Sequence, residues 1–136
     1  MVFDTSVLAD ALVGDAAARA EALQALLAAR AVIVPDSARA ELVNVLWKLT
    51  AAGRLSLEAG LDALDIADRW LSSVLPATEL WKDALHLAVE RAHPAYDTLF
   101  VAAAMFTGTQ VITRDRALRR RFPEHVVTVR EFLARA

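Results

Sequence analysis

Apolar positions along this chain follow two rhythms. Residues 1–3 and 31–34 are short β-leaning runs, and residues 15–30 between them place Ala16, Ala20, Leu23 and Leu27 at helical spacing. After Pro35 and Asp36, residues 37–52 set Ala38, Leu42, Val45, Leu46 and Leu49 on one helical face that ends at Gly53. Residues 56–71 form a second helical pattern with Leu57, Leu61 and Leu64 as its stripe. Two consecutive helices therefore interrupt a β-α alternation.

Residues 74–77 predict a further strand, and Thr78 a cap for a helix carrying Leu80, Ala84, Leu87 and Ala88 until His93-Pro94 breaks it. Pro94 suits the first turn of the next helix, which extends to Thr107. Beyond Gly108, "TQVIT" predicts a strand, "RDRALRRRF" one or two helical turns, and "HVVTV" a last strand before a closing helix. Parallel strands need long crossovers, and helices supply them. The pattern thus predicts a three-layer α/β/α domain with a central, mostly parallel sheet of about five short strands. At 136 residues the chain is expected to be one domain.

Composition narrows the functional classes. Apolar residues make up 57% of the chain, yet the longest apolar run, 99–106, is too short to cross a bilayer. The start lacks a charged n-region with a cleavable apolar core, so the expectation is a soluble, cytoplasmic protein with no membrane partner. The absence of cysteine excludes a disulfide framework, a thiolate nucleophile and a sulfur-bound zinc site. A net charge of −2 gives no overall basic field for nucleic acid, so such a partner must be drawn locally. "TRDRALRRR" offers that local charge, with Arg114, Arg116, Arg119 and Arg120 as candidate RNA-phosphate contacts and Arg121 beside them. The plain alternative is a solvated helix face.

Four carboxylates stand where chemistry is expected in a parallel sheet, beyond the carboxyl ends of its strands. Asp4 ends the first strand, Asp115 follows the fourth, and Glu41 and Asp97 each lie one turn into a helix that starts at the same edge if the crossovers are right-handed. Each has a structural alternative. Asp4 and Asp115 are preferred helix N-caps, Asp97 favours a helix start electrostatically, and Glu41 can join Asn44 and Lys48 in a surface cluster. The settings "VFDTSVL", "AELVNVLW", "AYDTLFVAAA" and "VITRDRAL" are strongly apolar, and the first three contain no lysine or arginine. Carboxylates at the edge of a core need counter-charge, and a hard divalent cation, Mg²⁺ or Mn²⁺, provides it through oxygen ligands.

These stretches, in this order and spacing, resemble the PIN domain family, and within it the small VapC-type toxins of bacterial toxin–antitoxin pairs. The resemblance covers nearly the whole chain and rests on Asp4 in "DTSVL", Glu41 in "ARAELVNVL", Asp97 in "YDTLFVAAA" and Asp115 in "VITRDRAL", with Thr5, Ser6, Asn44 and Thr113 at accessory polar positions. It implies a magnesium-dependent endoribonuclease that leaves a 5′ phosphate and a 3′ hydroxyl, with RNA as substrate and a cognate antitoxin as partner. On that reading Asp4 and Asp97 are the principal metal ligands, Asp115 is a direct or water-mediated ligand, and Glu41 is a hydrogen-bond acceptor or base.

Other features point elsewhere or nowhere. Trp47, Trp70 and Trp81 lie in helical settings that favour packing or a partner interface over base stacking. His86, His93 and His125 lack a paired metal-ligand spacing, and no nucleophile elbow or phosphate loop is present. An aspartyl-phosphate enzyme or receiver using Asp4 needs a lysine near the phosphate, but Lys48 and Lys82 both fall within helices. A catalytically silent PIN-like module that binds RNA or protein is the non-enzymatic alternative. The stripe of Leu57, Leu61 and Leu64, with Trp47 and Trp70, exceeds what one small core needs, which predicts a homodimer whose groove takes an antitoxin segment.

Overall fold

The computed structural model describes residues 1–136. Its strands are β1 (Val2–Phe3), β2 (Ile33–Pro35), β3 (Ser73–Leu75), β4 (Val111–Thr113) and β5 (Val126–Thr128). The helices are α1 (Thr5–Val13), α2 (Ala16–Ala28), α3 (Ser37–Ala51), α4 (Leu57–Trp70), α5 (Ala77–Arg91), α6 (Ala95–Thr107), α7 (Arg116–Arg121) and α8 (Val129–Arg135). The sheet order is β3-β2-β1-β4-β5 and every pairing is parallel. Helices α5 and α6 pack together, with α6 across β2, β1 and β4, while α1, α2 and α8 form the other layer. The expected three-layer α/β/α domain is the observed one.

Local chemistry sets the helix ends. Asp15 and Ser56 accept the amides of Ala18 and Ala59, and Thr128 with Glu131 closes a reciprocal capping box at α8. Thr78 does not cap α5. That helix begins two residues earlier than such a cap would place it, with Pro76 as its N-cap, and Asp36 Oδ2 accepts the Ala77 amide at 3.1 Å. Helices α5 and α6 end on left-handed residues, Ala92 (φ 50°) and Gly108 (φ 64°), and only the first carries the steric cost of a Cβ.

Two helical stripes turn out to be phased differently from the reading of the sequence. The first crossover holds two helices, and on α2 the buried positions are Ala22 and Ala25, with Leu27 86% exposed. On α4 the buried positions are Gly60, Ala63 and Ala67, whereas Leu61 is 54% exposed. Alanine and glycine let helices approach closely, and in helices this rich in alanine the larger side chains are pushed to the flanks. Ala63 and Ala67 thereby close on Leu42 and Leu46 of α3 in a small second cluster. On α5 the expected Leu80, Ala84 and Leu87 are all buried.

Register carries this fold to its site. Phe3 pairs with Ile112, and the Asp4 amide donates to the Ile112 carbonyl at 3.0 Å, so Asp4 stands level with Thr113 just past the end of the central strand. The phasing predicts a sharp contrast in stability. Leu80→Ala removes a fully buried side chain and should cost about 2–5 kcal/mol, whereas Leu27→Ala should change stability by about 0.5 kcal/mol or less, both read by urea unfolding.

Candidate active site

The end of β1 delivers Asp4 into a nearly closed position, 8% exposed, between two hydroxyls. Ser6 Oγ donates to Asp4 Oδ2 at 2.7 Å and Thr113 Oγ1 donates to the same oxygen at 2.6 Å. Oδ1 is left with no side-chain partner. The hydroxyls are themselves held, since Ser6 Oγ accepts the Arg114 amide at 3.2 Å and Thr113 Oγ1 accepts the Asp115 amide at 2.9 Å.

The same arrangement recurs at the other acids. Glu41, on the second turn of α3, accepts the Thr5 hydroxyl at Oε2 (2.6 Å). Asp97, on the first turn of α6, has Oδ2 2.9 Å from His93 Nε2. Asp115 is the N-cap of α7, its Oδ1 accepting the amides of Ala117 and Leu118 at 2.7 and 3.1 Å. Each carboxylate therefore has one oxygen fixed by the protein and the other without a hydrogen-bonding side chain. The cap expected as an alternative role for Asp115 is real, and it occupies only half of that group.

These groups share one neighbourhood. Ligand atoms of His93, Asp97 and Asp115 all lie within 4.8 Å of one another. Burial pushes the Asp4 carboxyl above its usual range, its two hydroxyl donors pull it back, and the charge of Asp97 raises it further. Burial likewise raises Glu41, against the Thr5 hydrogen bond, with Asp4 and Asp97 adding to the rise. His93 has no paired-histidine spacing to mark it in the sequence. The signal was its position four residues before Asp97 across a helix start, where a buried imidazole packs edge-on against Phe122 and orients the carboxylate. Asn44 lies one turn along α3 from Glu41, on an exposed face.

Two of the four arginines expected on RNA are spent inside the protein. Arg114 donates through Nε to Asp10 (2.9 Å), Nη1 to Glu21 (2.7 Å) and Nη2 to the Ala18 carbonyl (3.0 Å). Arg119 donates twice to Glu131 and holds that carboxyl down to about 2. Arg116 and Arg120 are exposed, as are Lys48 and Lys82. No cationic side chain forms an ion pair with Asp4, Glu41 or Asp115, and Asp97 meets only His93. The ligand atoms closest together are those of His93, Asp97 and Asp115, with Asp4 and Glu41 outside that group, and a carboxylate-rich site with so little counter-charge fits a hard divalent cation.

The fold and site define a class: a parallel α/β domain with an acidic crevice at the carboxyl edge of its central strands. The chain belongs to the PIN domain family, whose model matches residues 1–121. Ribonuclease VapC3 from Pyrobaculum aerophilum is 30% identical over 125 residues, covering 90% of this chain and 95% of that protein. The crystal structure of PAE2754 from Pyrobaculum aerophilum superposes with a TM-score of 0.77 at 24% identity, covering 98% of this chain and 92% of that one. A toxin–antitoxin complex from Klebsiella pneumoniae gives 0.69 at 21% identity over 94% of this chain and 96% of its counterpart. VapBC2 from Rickettsia felis, bound to a DNA fragment from its promoter, gives 0.66 at 14% identity over 94% and 98%. No helix is long and apolar enough to cross a membrane.

The raised Asp4 pKa has a definite sign in stability. Protonated Asp4 is favoured in the folded state, so its contribution is fully present below the ordinary carboxylate pKa and is lost as pH rises through the raised value. In EDTA at neutral pH, Asp4→Asn should therefore melt above the wild type, with its amide oxygen taking over the two hydroxyls. The difference should shrink as pH falls toward 4, an approximate ordinary carboxylate pKa, in a series of thermal melts.

Proposed function

We propose that this protein is a divalent-metal-dependent endoribonuclease acting as the toxin of a toxin–antitoxin pair. The observation that carries the reading is the set of four carboxylates, Asp4, Glu41, Asp97 and Asp115, each with one oxygen anchored and one available. Membership of the PIN family and the likeness to Ribonuclease VapC3 support the substrate class.

Asp4, Asp97 and Asp115 would hold Mg²⁺, or Mn²⁺ in its place, with His93 beside the last two. When bound, the ion acts as a Lewis acid, lowering the pKa of water and neutralising charge that grows on the phosphate. Ser6, Thr113 and His93 keep Asp4 and Asp97 in fixed rotamers, so that little is spent on ordering them as the substrate arrives. Glu41, its pKa raised by burial, accepts the proton of the attacking water through its free oxygen. The water oxygen forms a new bond to phosphorus, the bond to O3′ breaks with the departing oxygen taking a proton from solvent, and the products are a 5′ phosphate and a 3′ hydroxyl. Arg116 and Arg120 on α7 meet strand phosphates.

Exposed apolar side chains supply the partner surfaces. Trp47, Leu57 and Leu61 border α3 and α4, and α5 carries Trp81, Leu85 and Val89 at four-residue steps. These faces support a homodimer and an antitoxin-binding groove. Light scattering of the purified chain should report twice the monomer mass, falling to one on Leu85→Glu or Leu61→Glu.

Asp97→Asn should abolish RNA cleavage while the fold persists. At an Mg²⁺ concentration ten times its dissociation constant, the wild type should gain about 1.4 kcal/mol, read as a melting rise of a few degrees. The variant should gain none. Equal gains in both proteins, or retained cleavage in the variant, overturn the site.

A further inference from the structure

The β4–α7 turn that carries Asp115 also borders a polar cavity of about 320 Å³, lined by Thr113, Arg114, Arg116, Thr128, Val129 and Arg130. Arg114 is a fixed wall, since Asp10, Glu21 and the Ala18 carbonyl engage its three nitrogens. Glu21 also takes Arg130 Nε at 3.3 Å, tethering a side chain that is 85% exposed and leaving its outer nitrogens free. Glu131, the next acid along α8, is matched by the fork of Arg119. Arg116 forms no ion pair with any of these acids. Three guanidiniums, Arg114, Arg116 and Arg130, thus line this cavity and no carboxylate does, on a chain whose net charge is −2.

We propose that this cavity is a phosphate subsite for the RNA strand, in which Arg116 and the free edge of Arg130 hold a backbone phosphate next to the one being cleaved. The inference rests on the ribonuclease reading and adds to it Arg130, which the basic run of α7 does not contain. Asp115 and Arg116 are consecutive, yet the carboxylate joins His93 and Asp97 while the guanidinium lines the cavity. A strand crossing this turn meets acids and arginines at neighbouring positions. The acid crevice repels a polyanion until it holds a cation, so attraction has to come from beside it. Guanidinium forks match a phosphate in two-point geometry, and Val129 is the only apolar residue in the lining, which suits a compact anion better than a peptide segment.

The test measures binding of a fluorescein-labelled single-stranded RNA in EDTA, so that the strand stays intact, and cleavage of the same RNA in Mg²⁺. Both target side chains are exposed, so Arg116→Glu/Arg130→Glu should melt within a few degrees of the wild type. It should bind RNA at least about tenfold more weakly, and its log K against log salt should flatten by about 0.7, the contribution of one single-strand phosphate contact. Its KM should rise in parallel. Arg30→Glu, a single reversal of the same kind at an exposed arginine just before β2, should move none of these values. Unchanged affinity, salt slope and KM in the double variant would overturn the subsite. So would retained RNA affinity with loss of binding to an acidic peptide, which would make the cavity a protein-docking site. Loss of RNA affinity in the variant, with no cleavage by the wild type in Mg²⁺, would support the subsite and remove the ribonuclease reading instead.

Discussion

The structure depends on burying a carboxylate at the end of its central strand without giving it a cation. Asp4 leaves β1 at the middle of the sheet, where the neighbouring strand ends place a hydroxyl against it and the next helix supplies another. Hydroxyl donors lower the cost of the charge without cancelling it, whereas an arginine in the same place would neutralise the site and block it. The remaining acids follow this logic. Glu41 uses a threonine, Asp97 a histidine and Asp115 two backbone amides. The fold holds together around a locally unfavourable concentration of negative charge, and the strain is confined to one crevice.

The basic residues complete the separation of charge. Arg114 sits between two site residues in sequence, and its side chain is drawn away by Asp10 of α1 and Glu21 of α2. That clamp pins both helices to the turn carrying Thr113 and Asp115, while the Arg114 amide steadies Ser6. A residue that looks from its neighbours like a ligand for RNA thus acts as a brace for the acids.

The architecture and the four acids were legible because both rest on local signals. Strand runs are short and apolar, and each acid interrupts one apolar segment at a strand end or helix start. The strand β3 and the buried face of α5 were also readable from spacing. Helices α2 and α4 were not, because alanine on several faces leaves the helical period nearly flat and only tertiary contacts choose the buried side. Arginine pairing was hidden for a different reason. Arg114 meets Asp10 and Glu21 across 104 and 93 residues, a relation that no local window contains. His93 lay in plain view and so did the helix start at Pro94, but the packing of its ring edge-on against Phe122, which holds it toward Asp97, is a tertiary contact that spacing does not show.

The central strand has one further consequence, which concerns time. Asp4 and Thr113, joined by one hydrogen bond, are 109 residues apart, and β1 has β4 as one of its two neighbours in the sheet. A folding chain therefore leaves that side of the strand open around Asp4 until β4, 109 residues further on, can pair with β1. Chain order thus works as a delay, because the acids cannot meet as a set until Asp115 has followed Asp4, Glu41 and Asp97.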